Sequence, residues 1–233
     1  DLPPARAYLF DTHAHLLAGM LAPSLRHRLT ATPVGAGACK IDYVLDGPVP
    51  WADREVARAG TVHLCGTVED MRRAEDAVAR SQHAEWPMML VGDPATPDPS
   101  RLSPGGLRPL WTYVHVPRGS TLDVRDAADA QLERFAPGFR DRVVGARVVP
   151  AAQMQEHNTS LLGGDIAGGA ISLWRMVARP SAVPDPYRVA DDVYLCSGST
   201  PPGPGVHGMS GLYAAGRALR HTFGITALPS LAP

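Results

Sequence analysis

The chain has 233 residues, 45% of them hydrophobic and 19% charged, so a packed core is expected and extended disorder is not. The formal net charge is −1, which argues against a general nucleic-acid-binding protein, because such proteins carry a clear basic excess. No apolar run approaches the ~18 residues of a membrane span, and three widely spaced cysteines without metal-binding spacing indicate reduced thiols in a cytoplasmic protein.

Hydrophobic periodicity in the first half of the chain alternates between strand and helix patterns. Thr67 and Asp70 have the spacing of a capping box, with Asp in place of Glu or Gln, at the start of the second helix. That helix is expected to bury one apolar stripe made of Val68, Met71, Ala74 and Val78. The predicted elements of this half are strands over residues 8–10, 39–45 and 61–65 and helices over 16–29 and 68–80.

The second half shows the same mixture after a proline-rich stretch, residues 92–106, that should contain no regular structure. Asp123 can cap a helix that Pro137-Gly138 stops, and Gly224 is placed to end the last helix. The last helix is expected to bury Leu212, Gly216, Leu219 and Phe223. The predicted strands cover residues 88–91, 110–116, 142–149 and 193–196, and the predicted helices cover 124–135 and 209–223. Strands mixed with helices in this way predict a mixed α/β (α+β) fold.

The strongest local feature is a strand, a glycine-rich loop and a helix over residues 194–211. Its glycines let the backbone approach a ligand closely, and the helix turns its free N–H groups and positive dipole end toward the loop. Such a loop suits a pyrophosphate or the pyrimidine edge of a flavin, while an ordinary surface loop is the alternative. The residues expected at such a ligand are Gly198, Ser199, Thr200, Gly203, Gly205, Val206, His207, Gly208 and Met209. Among them, His207 is a weak catalytic candidate as a proton donor.

This stretch resembles the C-terminal flavin-binding signature of phytoene desaturase-like FAD oxidoreductases, in which a Pro-Gly-x-Gly-Val-x-Gly segment leads into a helix. Further stretches resemble the same family in the same order, and together they cover most of residues 36–224. These stretches are residues 40–47, 98–106, 111–117 and 163–169, Arg179-Pro180 and residues 185–187.

The resemblance implies an FAD-dependent oxidoreductase that dehydrogenates or isomerises a lipophilic or polyene-like small molecule, with the flavin accepting or returning a hydride. It also implies that residues 36–190 form a substrate-binding domain with a mixed or antiparallel sheet plus helices. Residues 191–224 would then be the C-terminal strand, loop and helix of the FAD-binding region, and residues 225–233 a tail. A second glycine-rich stretch is expected to line the substrate or cofactor with Gly163, Gly164, Asp165, Gly168 and Gly169.

The chain departs from this family at its start, because the Rossmann GxGxxG that holds the ADP half of FAD is missing. Residues 35–40 fail at the third glycine, where Lys40 stands, and they precede a strand instead of following one. We therefore expect a C-terminal half whose residues 1–35 continue from a missing or separate FAD-binding half. The expected partner is a Rossmann-containing chain or segment in a heteromer with an extensive interface. Nucleic acid and a transmembrane segment are not expected, and peripheral membrane contact stays open.

Two alternatives belong to other function classes. Asp11, His13 and His15 form a DxHxH sequence after an apolar strand, which resembles the opening of metal-dependent amidohydrolases and TatD-like hydrolases. The two histidines would point one way from the strand end and bind a divalent metal. Those enzymes are barrels with further ligands on a repeated βα pattern, which this sequence lacks. The other alternative is a non-catalytic, partner-binding half.

Overall fold

The computed structural model describes residues 2–228 and Ser230, and the chain divides into two compact units. The first unit comprises the described residues up to Gly35 and from Asn158 onward, and the second is Ala36–His157. Residues 158–190, which the sequence assigned to the substrate-binding domain, belong to the first unit, where Ala170 N donates to Pro33 O at 2.8 Å.

The described residues form seven strands and eight α-helices. The first half of the chain contains β1 (Tyr8–Phe10), α1 (Ala14–Met20), α2 (Pro23–Leu29), β2 (Gly37–Leu45), β3 (Thr61–Leu64), α3 (Val68–Ala79), β4 (Met89–Gly92) and β5 (Arg108–Val116). The second half contains α4 (Arg125–Phe135), α5 (Phe139–Arg142), β6 (Val143–Val149), α6 (Ala151–His157), α7 (Leu173–Val177), β7 (Val193–Leu195) and α8 (Met209–Phe223). Short 3₁₀ helices cover Val56–Arg58, Pro99–Arg101 and Leu162–Gly164.

The predicted mixture of strands and helices is confirmed, and the differences have local causes. The helix expected over residues 16–29 is two helices, because Pro23 begins a new one and lacks the N–H that would continue the first. The strand expected from Arg142 begins at Val143, since the preceding four residues form α5. Asp123 is not the N-cap residue of α4, which is Val124, but its carboxylate accepts from Arg125 N at 2.8 Å.

The capping box of α3 is confirmed, but its predicted apolar stripe is wrong in part. Thr67 Oγ1 accepts from Asp70 N at 3.2 Å, and Thr67 N donates to the Asp70 carboxylate at 2.9 Å. Val68 and Met71 are exposed, and only Ala74 and Val78 are buried. The helix meets the sheet along a narrower face, where the Glu75 carboxylate lies 2.7 Å from His115 Nδ1 on β5.

The second unit is built on a five-stranded sheet in the order β3-β4-β5-β2-β6, with every neighbouring pair antiparallel. Side chains alternate along β2, so Ile41 and Tyr43 point into a core that α4 and α5 cover. Tyr43 OH donates to the Asp129 carboxylate at 2.6 Å, and its ring meets Phe139 edge to face at 5.3 Å. The sequence left a mixed or an antiparallel sheet open for residues 36–190, and the structure has an antiparallel one within residues 37–149.

On the opposite face of this sheet, aromatic rings of β5 stack along the strand. Trp111 and Tyr113 have ring centroids 6.4 Å apart, and Tyr113 and His115 have centroids 5.9 Å apart. The indole of Trp111 lies across Gly92 of β4, its direct cross-strand partner, where a Cβ would overlap the ring. The Trp111 indole can lie on the sheet at this point because residue 92 is a glycine.

The first unit contains a two-stranded parallel sheet made of β1 and β7, with Tyr8 opposite Val193 and Phe10 opposite Leu195. Its core cluster includes Leu17 of α1 and Leu29 of α2. No helix among the described residues combines the length and the apolar character that crossing a membrane requires.

Helix α8 in this unit covers Met209–Phe223, and Gly224 follows it with a φ of 72°, the left-handed conformation expected of a C-terminal stop. The prediction that it buries Leu212, Gly216, Leu219 and Phe223 is wrong. The buried residues are Ser210, Ala214 and Ala218, and both alanines pack against Tyr187 and Tyr194. Two large rings occupy the space beneath the helix, so small side chains face them.

Gly92→Ala is expected to lower the free energy of unfolding by about 1–3 kcal/mol, because the new methyl group must displace the Trp111 indole. Urea unfolding followed by circular dichroism measures this loss. Gly145→Ala on β6 is the matched control, since a Cβ there meets no atom within 4 Å, and its effect should stay within about 0.5 kcal/mol. Equal losses in the two variants would contradict the close packing of Trp111 on Gly92.

Candidate functional site

A groove opens in the first unit where the two parallel strands end. Because β1 and β7 run in the same direction, their carboxyl ends meet at one edge, where Asp11 and Cys196 follow them directly. Ligands of parallel sheets bind outside this edge. The groove has a volume of about 490 Å³, within the range of ~300–1,000 Å³ typical of small-molecule sites. Its lining residues are Asp11, Cys196, Ser197, Gly198, Gly203, Gly205, Val206, His207, Gly208, Ser210 and Gly211.

The N-terminus of α8 forms one wall of this groove. Gly208 is the N-cap residue, in the left-handed conformation with φ 66°, and His207 Nδ1 accepts from Met209 N at 3.0 Å. The next two N–H groups, of Ser210 and Gly211, belong to the first turn and have no acceptor within the helix. Both residues line the groove, so the positive end of the helix dipole favours an anionic or electron-rich edge there.

The charges around the groove restrict its ligand further. Among the described residues that line it there is no lysine or arginine, and Asp11 contributes a carboxylate. A pyrophosphate would lack a cationic partner there, whereas an uncharged polar ring system with hydroxyl groups finds N–H donors and a carboxylate acceptor. Burial, and then the charge of Asp11, raise the pKa of the Cys196 thiol to about 11. A raised pKa keeps the Cys196 thiol protonated at neutral pH.

The sequence-predicted ligand residues divide into two groups. The groove is lined by Gly198, Gly203, Gly205, Val206, His207 and Gly208. Ser199 and Thr200 are buried and use their hydroxyls within the chain. Ser199 Oγ accepts from Ala14 N at 3.0 Å and donates to Gly168 O at 2.7 Å, and Thr200 Oγ1 donates to Ser197 O at 2.9 Å. These two hydroxyls fix the loop in place, and Met209 contributes its N–H to the His207 cap.

The second glycine-rich stretch lies beside this loop and surrounds a buried carboxylate. Asp165 is 1% exposed, and its oxygens accept from Gly35 N at 2.6 Å, Ala167 N at 2.7 Å, Gly169 N at 2.8 Å and His13 Nε2 at 3.3 Å. Burial raises its pKa, but the hydrogen bonds from His13, Gly35 and Ala167 outweigh that effect and leave the pKa lowered. Asp165 is therefore an ionised anchor that joins three chain segments.

The glycines of this stretch serve its folding around Asp165. Gly163 and Gly164 have φ values of 59° and 88°, in the left-handed region that favours glycine. Gly168 has φ 68°, and a Cβ there would lie 2.8 Å from Ser199 N, so only glycine permits this approach of two backbones. None of the five residues predicted to line a ligand in this stretch, Gly163, Gly164, Asp165, Gly168 and Gly169, belongs to the lining of the groove. They lie beside the loop that lines the groove and contact it where Ser199 Oγ donates to Gly168 O.

Two buried side chains complete this anchor, and the sequence did not assign either of them this role. His13 Nδ1 accepts from His15 N at 3.1 Å, so the ring proton is on Nε2 and is donated to Asp165. Arg179 is fully buried, and its Nη2 donates to Ala167 O at 2.7 Å. Burial lowers the pKa of Arg179, and the charge of Asp165 opposes that shift. In the sequence, Arg179 stood out as part of the Arg179-Pro180 dipeptide, which is one of the stretches that resemble the family.

The metal-binding alternative finds no support in this arrangement. Both ring nitrogens of His13 are engaged, and His15 Nε2 lies 2.8 Å from Thr32 O. Asp11 lies in the lining of the groove. No group of three or more His, Cys, Asp or Glu residues is placed to hold a metal ion within the part of the chain that the structure describes.

No protein-family model matches the chain. Three features of the groove bear on what it could bind: its position at the strand ends, the N–H donors of α8 and the absence of lysine and arginine among its described lining residues.

Asp165→Asn should lower the free energy of unfolding at pH 7 by about 1–3 kcal/mol, because the amide group must turn N–H atoms toward a backbone donor and leave it unsatisfied. The lowered pKa makes the carboxylate stabilising above its unfolded pKa of ~3.9, and that contribution is lost as the pH falls through the folded pKa. The gap between wild type and variant in urea unfolding should accordingly narrow below pH 4.

The matched control for this prediction is Asp46→Asn, which removes a half-exposed ion pair with Arg142 at 3.4 Å. Its effect should stay within ~1 kcal/mol at every pH, as for other exposed pairs. A loss for Asp165→Asn no larger than that of the control would show that Asp165 does not anchor the loops.

Proposed function

We propose that this chain is the C-terminal part of an FAD-dependent oxidoreductase of the phytoene desaturase-like kind, acting on a lipophilic or polyene-like small molecule. In this proposal the groove at the ends of β1 and β7 holds the isoalloxazine and ribityl portions of FAD. One observation carries it: the first turn of α8, whose N–H groups have no acceptor within the helix, lines a groove at the carboxyl ends of two parallel strands. Bound flavin supplies a hydride acceptor or donor there.

The chain's own residues have distinct tasks in this proposal. The N–H groups of Ser210 and Gly211 receive the electron-rich pyrimidine edge of the flavin, and they stabilise its anionic reduced form by about 0.3–2 kcal/mol. Asp11 accepts from hydroxyl groups of the ribityl chain. Val206 is fully exposed and offers an apolar contact for a ring. His207 holds the start of α8 through its ring nitrogen, which makes it a positioning residue.

The pyrophosphate and adenosine of FAD are assigned to a companion half. Among the described residues, β1 has β7 as its single neighbour in a sheet of two parallel strands. Parallel strands occur almost only in larger sheets covered on both faces, and a two-stranded sheet is marginal by itself. Leu9 at the middle of β1 is exposed as well. A companion that adds strands beside β1 would complete the sheet and bring the cationic or backbone groups that a pyrophosphate requires.

The second unit supports a lipophilic substrate. An apolar pocket of about 320 Å³ lies in this unit and is lined by residues of β3 and α4 and of the segment between β2 and β3. Trp51, Val62, Leu64 and Phe135 supply most of its apolar character, with the polar Asp53 and Arg134 beside them. Pockets of this kind bind apolar molecules and orient them with a few polar groups.

Gly211→Leu tests the flavin assignment. Gly211 lines the groove and a Cβ there meets no atom within 4 Å, so a larger side chain should occupy part of the groove, while helix propensity should leave stability equal or up to ~1 kcal/mol higher. Titration of FAD, followed by quenching of isoalloxazine fluorescence, should show affinity lowered at least about tenfold. Riboflavin should bind wild type within about tenfold of FAD, because the pyrophosphate is not held by this chain.

Gly19→Leu is the control, because Gly19 is also a helical glycine with open space around it, and it lies outside the groove. This variant should bind FAD as wild type does. Wild-type protein that binds neither FAD nor riboflavin, or a Gly211→Leu variant that binds them normally, would contradict the proposal. Stoichiometric zinc in colourless protein would instead favour the hydrolase alternative, and stable capture of a companion half without flavin would favour a non-catalytic, partner-binding half.

A further inference from the structure

One histidine of the groove uses only one of its two ring nitrogens within the described part of the chain. His207 Nδ1 accepts from Met209 N at 3.0 Å, at the start of α8. A ring nitrogen that accepts a hydrogen bond carries no proton, so the neutral imidazole of His207 carries its proton on Nε2. The helix start therefore fixes the tautomer and makes Nε2 a hydrogen-bond donor.

This donor lies at the wall of the groove. His207 and Gly205 both line the groove, and Nε2 lies 3.0 Å from the position that a Cβ on Gly205 would occupy. A side chain at residue 205 would therefore cover this edge of the ring, and glycine leaves it open. The ring is exposed, and Nε2 has no hydrogen-bond partner among the described residues.

Capping of α8 does not by itself account for an imidazole at residue 207. Asn and Asp side chains also accept from the N–H group two residues further on, and turns and helix starts favour them for that bond. The imidazole supplies the same acceptor and adds a donor on its far side. That donor is the property of His207 that the capping bond to Met209 leaves unused.

We propose that His207 Nε2 donates a hydrogen bond to the polar edge of the flavin in the groove. The proposal rests on the proposed function, and it adds a side-chain donor to the N–H groups of Ser210 and Gly211. Three donors along one wall favour a ligand edge made of carbonyl oxygens and unprotonated ring nitrogens, which the pyrimidine ring of a flavin provides. His207 then has two tasks in one ring: Nδ1 holds the start of α8, and Nε2 contacts the ligand.

Two substitutions separate the two ring nitrogens. In His207→Asn the amide oxygen takes nearly the place of Nδ1, so the acceptor for Met209 N is kept and the donor is lost. In His207→Gln the amide nitrogen reaches nearly the place of Nε2, so the donor is kept and the capping bond is lost. Thermal unfolding and FAD titration of the full chain should therefore rank the two variants in opposite order.

His207→Asn should keep the Tm of wild type and lower FAD affinity by about threefold to tenfold, as the loss of one neutral hydrogen bond does. His207→Gln should lower the Tm by several degrees and bind FAD more tightly than His207→Asn does. In the wild-type chain without ligand, ¹⁵N chemical shifts of the ring should show Nε2 protonated and Nδ1 unprotonated.

His221→Asn is the matched control, because His221 is exposed in the last turn of the same helix and lies outside the groove lining. It should match wild type in Tm and in FAD affinity. Wild-type affinity in His207→Asn would overturn this proposal and leave the proposed function standing, and so would a ring that is protonated on Nδ1. Wild-type protein that binds no flavin would overturn both.

Discussion

The buried carboxylate of Asp165 is the constraint on which the candidate site depends. The side chain is almost fully buried, so water does not hydrate its negative charge. Four hydrogen bonds from three separate chain segments take the place of the missing hydration. Satisfying one carboxylate thus fixes the turn after β1, the approach to β2 and the second glycine-rich stretch with respect to one another. Ser199 extends this arrangement to the groove loop, because its hydroxyl bridges Ala14 and Gly168. The loop that lines the groove is therefore held by Ser199 and Asp165, which are not part of the groove lining.

In the first unit, glycines stand where another part of the backbone comes close or where the chain needs a left-handed conformation. Gly168 allows its loop to meet the backbone at Ser199, and Gly208 adopts the left-handed conformation that starts α8. In the second unit, Gly92 leaves the space that the Trp111 ring occupies. Each of these glycines is required by a structural neighbour, whether backbone, helix start or aromatic ring. At these positions the glycines of the chain are therefore explained by packing and backbone conformation.

The distribution of charge around the groove restricts which ligands the groove could bind. The described lining of the groove has an acidic residue and no lysine or arginine, which suits the uncharged portion of a flavin more than its pyrophosphate.

The sequence by itself determined the elements whose causes lie within a few residues. Alternation predicted β2 and β5 of the large sheet, Thr67 and Asp70 predicted the start of α3, and a helix was expected after the glycine-rich loop that precedes Met209. It also predicted six of the residues that line the groove. Only the tertiary structure decided which hydroxyls and which helix faces are used. His13 and Asp165 are 152 positions apart, Ala14 and Ser199 are 185 apart, and α8 buries alanines because Tyr187 and Tyr194 lie beneath it. Periodicity carries no information about such partners, because a helix or loop buries the side that its distant neighbours leave room for.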